Sequence, residues 1–250
     1  LALSGAIMLA LSASPVMAGG GEGGSRGGHQ CGPSGCIPKF RCKVGKCASN
    51  GNDAIITQNG NRNRAFVTQA TAYKKFGKHE GRGGLFASYK NDSTIDQKGN
   101  RNFAETVQLG AYNDSVIEQN GNRNKASVEQ YGKKNDVNIK QKGNRNGADV
   151  VQKGYRNDVD IEQRGNRNKA DVDQLGDRLT ADITQKGNRN LADVNQYCAE
   201  NDVTIMQNGN RNRAIAWQSD FGNMASIDQK GNRNLANVMQ GGSGYMHGPR

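Results

Sequence analysis

The chain has 250 residues, of which 34% are apolar and 34 are glycine, and its formal net charge at pH 7 is +11. A chain with so few apolar residues is not expected to build a conventional globular core of this length, which disfavours a large enzyme-like fold. The basic charge favours encounters with nucleic acid, acidic polysaccharide or an anionic surface, but it names no partner.

Residues 1–18 have the features of an export signal. They are uncharged and mostly apolar, and they end in Val16-Met17-Ala18, small residues of the kind that a signal peptidase selects. The run is too short to span a bilayer comfortably as a membrane anchor. We therefore interpret 1–18 as a truncated signal peptide and expect the mature chain to be secreted.

Residues 19–47 form a segment rich in glycine and cysteine. Its cysteines are Cys31, Cys36, Cys42 and Cys47, in the spacing C-x4-C-x5-C-x4-C. In an exported chain this pattern favours one or two disulfides, whose pairing the spacing does not define. Free thiols used for anchoring or cross-linking, and a metal site, remain as alternatives, although the spacing matches no familiar zinc motif.

From residue 48 to 240 the sequence is repetitive. Gly-Asn-Arg-Asn occurs eight times, and from the copy at Gly99 onward the step is 22 residues every time. Each copy lies in the pattern Gln-x-Gly-x-x-Asn-x-Ala-x-Val-x-Gln, which begins again after 11 residues. Each unit therefore has two similar halves, which predicts two strands and two turns.

Within each half, apolar and amide residues alternate with polar ones, which is the period of a strand. In one unit the inward residues are predicted to be Asn168, Ala170, Val172 and Gln174. The four residues at 164–167 precede them and are rich in Gly and Asn, which tolerate the positive φ of tight turns. The pattern predicts an all-β fold, a β-solenoid of stacked 22-residue strand-turn-strand-turn rungs with two parallel sheets.

One rung is not stable alone, because ordering a residue costs ~1–2 kcal/mol of backbone entropy and a buried Val or Ile returns only ~1.5–3 kcal/mol. Stacking adds main-chain hydrogen bonds and ladders of identical amides, as in cross-β structures. We therefore assign the inward amides to core ladders that also support polymerisation. The first glutamine ladder is Gln97, Gln119, Gln141, Gln163, Gln185, Gln207 and Gln229, the second is Gln108, Gln130, Gln152, Gln174, Gln196, Gln218 and Gln240, and the asparagines are Asn102, Asn124, Asn146, Asn168, Asn190, Asn212 and Asn234.

The stretch from Asn91 to Gln240 resembles curlin, the subunit of curli fibres, whose repeat reads Ser-x5-Gln-x-Gly-x-x-Asn-x-Ala-x3-Gln. Asn113, Asn135, Asn157, Asn201 and Asn223 stand where that family commonly has Ser. The resemblance implies secretion of an unfolded chain through an outer-membrane channel, assembly nucleated at the cell surface by a minor subunit, and roles in biofilm matrix, adhesion and surface attachment.

Some positions depart from the family pattern. Seventeen extra residues separate the first repeat from the second, which predicts an inserted loop near 70–90. Leu179 replaces an expected Asn, and Cys198 and Asp220 replace expected turn glycines, so strain is expected in those rungs. Residues 241–250 are interpreted as a C-terminal tail.

The leading functional prediction is a structural subunit of secreted, pilus-like amyloid fibres at the cell surface, with other copies of itself as the main partner. The alternative is a secreted monomeric solenoid that acts as a binding module for acidic polysaccharide or extracellular DNA through a column of turn arginines. Specific nucleic-acid recognition is not expected, because no aromatic residues alternate with those arginines. No enzyme activity and no cofactor are predicted, since the three histidines, His29, His79 and His247, all lie outside the repeat.

Overall fold

The computed structural model describes residues 52–70 and 90–241, and all sixteen elements within these ranges are strands. The first eight are β1 (Asp53–Asn59), β2 (Arg64–Ala70), β3 (Asp92–Asn100), β4 (Phe103–Ala111), β5 (Asp114–Asn122), β6 (Lys125–Lys133), β7 (Asp136–Asn144) and β8 (Gly147–Tyr155). The others are β9 (Asp158–Asn166), β10 (Lys169–Asp177), β11 (Thr180–Asn188), β12 (Leu191–Ala199), β13 (Asp202–Asn210), β14 (Arg213–Gln218), β15 (Met224–Lys230) and β16 (Leu235–Gln240).

The strands form two parallel sheets. The odd-numbered strands stack in chain order from β1 to β15 in one sheet, and the even-numbered strands stack from β2 to β16 in the other. Each residue pairs with its equivalent one repeat later, as Ile139 does with Ile161 and Ile161 with Ile183. One odd strand and the even strand that follows it make one rung. The predicted all-β solenoid with two parallel sheets is therefore confirmed.

The core lies between the two sheets and follows the alternation of the sequence. In β9, Val159, Ile161 and Gln163 are buried, whereas the residues between them face outward. The even strands supply Ala and Val opposite these residues, as β10 does with Ala170 and Val172. Because the rungs between the first and the last bury equivalent residues, the apolar core is a continuous column along the stack.

The turns differ from the sequence-based expectation. Strands run through the Gly-Asn pair, so that only two residues separate β9 from β10. The positive φ angles belong to the glycine and the arginine of each Gly-Asn-Arg-Asn copy, as in Gly165 (φ 123°) and Arg167 (φ 59°), and no asparagine among the described residues has one. The assignment of positive φ to the asparagines was therefore wrong. The asparagine side chains instead make the hydrogen bonds that hold the turns.

The turn glycines are required for a second reason. A Cβ built on Gly165 would lie 1.9 Å from the carbonyl oxygen of Gly187 in the next rung. No side chain fits in such a gap, because the rungs approach backbone to backbone at this point. The glycine therefore sets both the local backbone conformation and the spacing of the stack.

The three departures from the repeat have visible consequences. Leu179 is fully buried and its backbone N–H still donates to Oδ1 of Asn157, but its side chain has no amide with which to continue the ladder. Cys198 keeps the strand intact with φ of 72°, a conformation that costs a non-glycine residue energy. At Asp220 the strand is not maintained: β14 ends at Gln218 and β15 begins only at Met224.

Several predicted segments lie outside the described residues. These are the signal peptide at 1–18, the cysteine-containing segment at 19–47, nearly all of the inserted loop near 70–90, and most of the tail at 241–250. Within the part of the chain that the structure describes, no helix is long and apolar enough to cross a membrane.

Two glycines provide a matched test of the close approach between rungs. Gly165→Ala should strongly impair folding into the solenoid, since the added methyl group meets backbone and the φ is positive. Gly147→Ala should be tolerated, because its φ is not in the left-handed region and the atom nearest to a Cβ added there is Cγ of Lys169 at 4.0 Å. The measurement is the amount and rate of β-sheet formation by circular dichroism; equal effects of the two changes would contradict the geometry.

Candidate assembly interface

Two ladders of buried glutamine side chains run the length of the stack. In each, Nε2 of one glutamine donates to Oε1 of the glutamine one repeat later, as Gln141 does to Gln163 and Gln163 to Gln185, both at 2.9 Å. The donor–acceptor distances along both ladders lie between 2.7 and 3.0 Å. The first ladder also includes Gln58 and the second also includes Gln69. These are the corresponding glutamines of the first rung, and they were not among the predicted residues.

The same glutamines also connect the two sheets. The second N–H of Gln163, on β9, donates to the carbonyl oxygen of Gly147 at the start of β8, at 2.8 Å. Gln174, on β10, donates in the same way to the carbonyl of Asp158 on β9, at 3.1 Å. Each glutamine amide from Gln97 to Gln218 therefore uses both of its donor hydrogens, which removes the cost of burying a polar group without a partner.

The predicted asparagines line the inner side of the first turns. The Oδ1 atom of Asn146 accepts the backbone N–H of Asn168, and Nδ2 of Asn146 donates to the carbonyl of Gly165 at 2.9 Å. Asn102, Asn124, Asn146, Asn168, Asn190 and Asn212 are about 1% exposed, while Asn234, in the last rung, is partly exposed. The side chains from Asn102 to Asn212 thus close their own turns against the following rung, whereas Nδ2 of Asn234 donates to the carbonyl of Lys230 in its own turn.

A further ladder was not predicted from the sequence. The second residue of each Gly-Asn-Arg-Asn copy is exposed, yet in the six copies from Gly99 to Gly209 both its backbone N–H and its Nδ2 donate to Oδ1 of the equivalent asparagine one repeat later. Asn144 and Asn166 show this, with distances of 3.2 and 3.0 Å. The signal in the sequence was the presence of this asparagine in all eight copies, which a merely solvated turn residue does not need.

The direction of these ladders gives the solenoid two different ends. The glutamine and outer asparagine side chains donate toward the C-terminal end throughout. At that end Gln229 and Gln240 use one amide hydrogen on a backbone carbonyl, and no described residue accepts the other. At the N-terminal end, no donor in 52–70 or 90–241 reaches Oε1 of Gln58 or Gln69. One end is therefore a donor face and the other an acceptor face.

Apolar residues at the two ends are also complementary. The isoleucine column begins with Ile56 and ends with Ile227, and Ile56 is 46% exposed where its equivalents inside the stack are fully buried. Val67 and Val238 have the corresponding terminal positions in the other sheet. The first rung leaves this column open at Ile56, whereas Ile227 is 4% exposed, and Val67 and Val238 are both partly buried.

A column of carboxylates lies at the start of the odd strands. Asp114, Asp136 and Asp158 occupy equivalent positions on the adjacent strands β5, β7 and β9. Burial, followed by the negative charges of Asp114 and Asp158, raises the pKa of Asp136 to about 6. Burial is also the main cause of the raised pKa values of Asp114 and Asp158. Near neutral pH, the burial and mutual repulsion of these ionised carboxylates therefore oppose the stacking of rungs.

Comparison with protein families matches a family described as curlin associated repeat. The matched segments overlap and comprise residues 99–132, 116–143, 134–165, 143–176, 154–187 and 199–231. They follow the rungs from the end of β3 to β15. A search among curated proteins gives no significant match.

The glutamine ladder is tested by a pair of neighbouring residues. Gln163→Ala removes an amide and leaves Gln141, Gln185 and the carbonyl of Gly147 each short of a partner, which should destabilise the stack by about 1–3 kcal/mol. Glu162→Ala, one residue earlier, removes only an exposed ion pair with Arg164, an effect of well under ~1 kcal/mol. Denaturant melting of the assembled protein measures both; a larger loss from Glu162→Ala would reverse the assignment of faces.

The carboxylate column predicts a pH dependence. An acid whose pKa is raised on folding opposes folding when ionised, so the opposition develops from pH 3.8 upward and is complete above pH 6. Assembly should thus be faster at pH 5 than at pH 7.5, and Asp136→Asn should reduce this difference. Asp177→Asn, an exposed carboxylate outside the column, serves as the control. Assembly rates that respond to pH equally in wild type and Asp136→Asn would contradict this role.

Proposed function

Because this chain belongs to the curlin family, we propose that it assembles into extracellular curli-type fibres by adding whole chains end to end. The family is structural and not enzymatic, and the repeats and the solenoid fold make this chain a curli-type structural subunit.

The observation that carries the proposal is the complementarity of the two ends. The donor hydrogens of Gln229 and Gln240 on one copy face the direction in which Gln58 and Gln69 of the next would lie. The same addition places Ile227 of one copy on Ile56 of the next, which continues the isoleucine column in register. The new interface repeats a contact that the chain already makes between each pair of successive rungs within itself.

Such an interface joins different surfaces of the two copies, so it does not close on itself. A head-to-tail contact with little rotation produces an open filament and not a ring. Among the described residues, β1, β2, β15 and β16 are the edge strands of the two sheets. An edge strand offers unpaired main-chain donors and acceptors that template the addition of another chain. Polymerisation is then a continuation of folding.

The setting of the fibre follows from the family and from the sequence. We propose that the chain is exported, crosses the outer membrane through a dedicated channel while unfolded, and is nucleated at the cell surface by a minor subunit. The fibres would then contribute to biofilm matrix, adhesion and surface attachment. The family's role in extracellular fibres and the export signal that the sequence predicts at 1–18 support this proposal.

Two adjacent isoleucines on β1 test end-to-end addition without disturbing the interior. Both are exposed, Ile56 by 46% and Ile55 by 59%, but Ile56 belongs to the inward column and Ile55 faces outward. Ile56→Lys would place its charge on a surface that is 46% exposed in the single chain and would bury it fully, unpaired, when a second copy covers it, at a cost of several kcal/mol. Ile55→Lys would leave its charge in water in the fibre.

The assay adds each variant as monomer to wild-type fibre seeds and follows elongation. Ile55→Lys should elongate the seeds at close to the wild-type rate, whereas Ile56→Lys should add slowly or not at all. Circular dichroism on the variant that elongates confirms that it has become β-sheet. If Ile56→Lys elongates as well as Ile55→Lys, the first rung is not the surface that joins copies.

A further inference from the structure

The first turns of the solenoid present an uninterrupted row of arginines. The row comprises Arg62, Arg101, Arg123, Arg145, Arg167, Arg189, Arg211 and Arg233. Together with the outer asparagines these residues line a groove of about 1600 Å³ that follows the long axis of the stack. The row has one arginine per rung, at the strand spacing of ~4.7–4.9 Å.

The eight repeats allow each position of Gly-Asn-Arg-Asn to be compared within one chain. The glycine is explained by the close approach of backbones, the outer asparagine by its exposed ladder, and the inner asparagine by its bonds to the next turn. The arginine is equally invariant. Its backbone N–H bonds to a carbonyl of the preceding rung, which any residue except proline would provide.

The backbone conformation disfavours arginine at this position. All eight have φ between 58° and 61°, in the left-handed region that glycine and asparagine adopt more readily. The repeat already uses asparagine at the position immediately before each arginine. A residue type better suited to this backbone conformation therefore occurs in the same turn. The persistence of arginine therefore needs a reason other than the conformation of the turn.

The second turns show that the fold does not require arginine there. The equivalent left-handed position between an even strand and the next odd strand carries Tyr112, Lys134, Arg156, Arg178 and Glu200 in successive rungs. The cations among them have partners: Lys134 and Arg156 lie over the ring of Tyr155, and Arg178 pairs with Glu200. In that turn the residue type varies, and each cation lies against a tyrosine ring or a carboxylate of the same chain.

The arginine row has no such compensation. In 52–70 and 90–241, no carboxylate forms an ion pair with any of the eight guanidinium groups, and no aromatic ring lies against them. Stacked like charges at rung spacing repel one another, and polymerisation end to end would extend the row. An unbranched anion that follows the groove relieves this repulsion, and it gains in avidity from each further rung.

We propose that the arginine row binds an extended carboxylated polysaccharide along the axis of the solenoid. Each sugar ring of a polyuronate carries one carboxylate, and one ring in an extended chain is about as long as one rung is high. The planar guanidinium group accepts a carboxylate in a two-pronged geometry that lysine does not offer. All eight arginines lie in one chain, so the binding does not depend on the proposed fibre.

Nucleic acid fits the row less well. The phosphates of duplex DNA follow two helical strands, so a straight row one arginine wide meets only a few of them. Single-stranded nucleic acid binds such grooves with the help of aromatic rings on which the bases stack, and the residues lining this groove are asparagine and arginine. Duplex DNA is therefore the discriminating competitor in the test.

The test compares two triple variants in the same three rungs. One changes the row, with Arg123→Asn, Arg145→Asn and Arg167→Asn. The other changes the second turns, with Lys134→Asn, Arg156→Asn and Arg178→Asn. Both remove three positive charges at left-handed positions that asparagine accepts, so backbone and net charge are matched. Folding of both is checked by circular dichroism.

Binding of the folded full-length protein to polygalacturonate is measured at physiological salt, with duplex DNA and methyl-esterified polygalacturonate as further ligands. The row variant should lose at least tenfold in affinity for polygalacturonate and the second-turn variant less than twofold. The neutral ester should not bind. Equal losses in the two variants would show a nonspecific charge effect and overturn the proposal, as would tighter binding of DNA than of polygalacturonate.

If the row variant fails to fold, the three arginines are changed to lysine, which keeps the charge and loses the planar fork. Affinity for polygalacturonate should then fall several-fold while the salt dependence of binding is retained. Unchanged affinity in the lysine variant would overturn the recognition of carboxylates by guanidinium groups.

Discussion

The structure depends on one constraint: a buried side-chain amide must find partners in the rungs above and below its own. Gln163 alone makes three such hydrogen bonds, to Gln141, Gln185 and the carbonyl of Gly147, and none of these partners belongs to the strand pair that contains it. An isolated rung therefore has neither sufficient apolar burial nor satisfied amides. Stability arises only when rungs are stacked, and it is incomplete at the first and last rung. The same physical requirement that folds the chain thus leaves two ends that are suited to another copy.

This constraint also explains which positions of the repeat vary and which do not. Four kinds of residue contact their own equivalents in the neighbouring rungs: the inward glutamine, the inward asparagine, the turn glycine and the isoleucine of the odd strands. A change at one of these positions therefore affects three rungs. Outward strand positions contact water and carry many residue types. Leu179 and Cys198 illustrate the coupling, because the inner asparagine of one rung donates to the glycine carbonyl nineteen residues later. Where leucine replaces the asparagine, that bond is lost, and its acceptor position is the one occupied by Cys198. The arginine row is the exception, since it is invariant without a partner among the described residues.

Much of the fold was predictable because strand period and repeat length are properties of the sequence alone. The alternation of inward and outward residues along each strand, together with the 22-residue repeat, defines which residues face the core. These residues include the glutamines of both ladders. The outer asparagine ladder was missed because an exposed turn asparagine is usually explained by backbone preference, and the sequence does not show that its side chain bonds along the stack. Positive φ was assigned to asparagine for the same reason, and the structure gives it to residues such as Arg167. The raised pKa of Asp136 depends on burial and on the vertical alignment of three carboxylates, which only the register reveals.

The central claim is that the ladders continue from one chain into the next, with the last rung of one copy on the first rung of another. Solid-state NMR on fibres grown from a mixture of ¹⁵N-labelled and ¹³C-labelled chains tests this directly, because contacts between the two labels arise only between copies. The account predicts side-chain contacts of Gln229 with Gln58 and of Gln240 with Gln69, and none between equivalent central residues such as Gln163 in two copies. Intermolecular contacts of Gln163 with Gln163 would show chains stacked in register on one another, and would contradict the account.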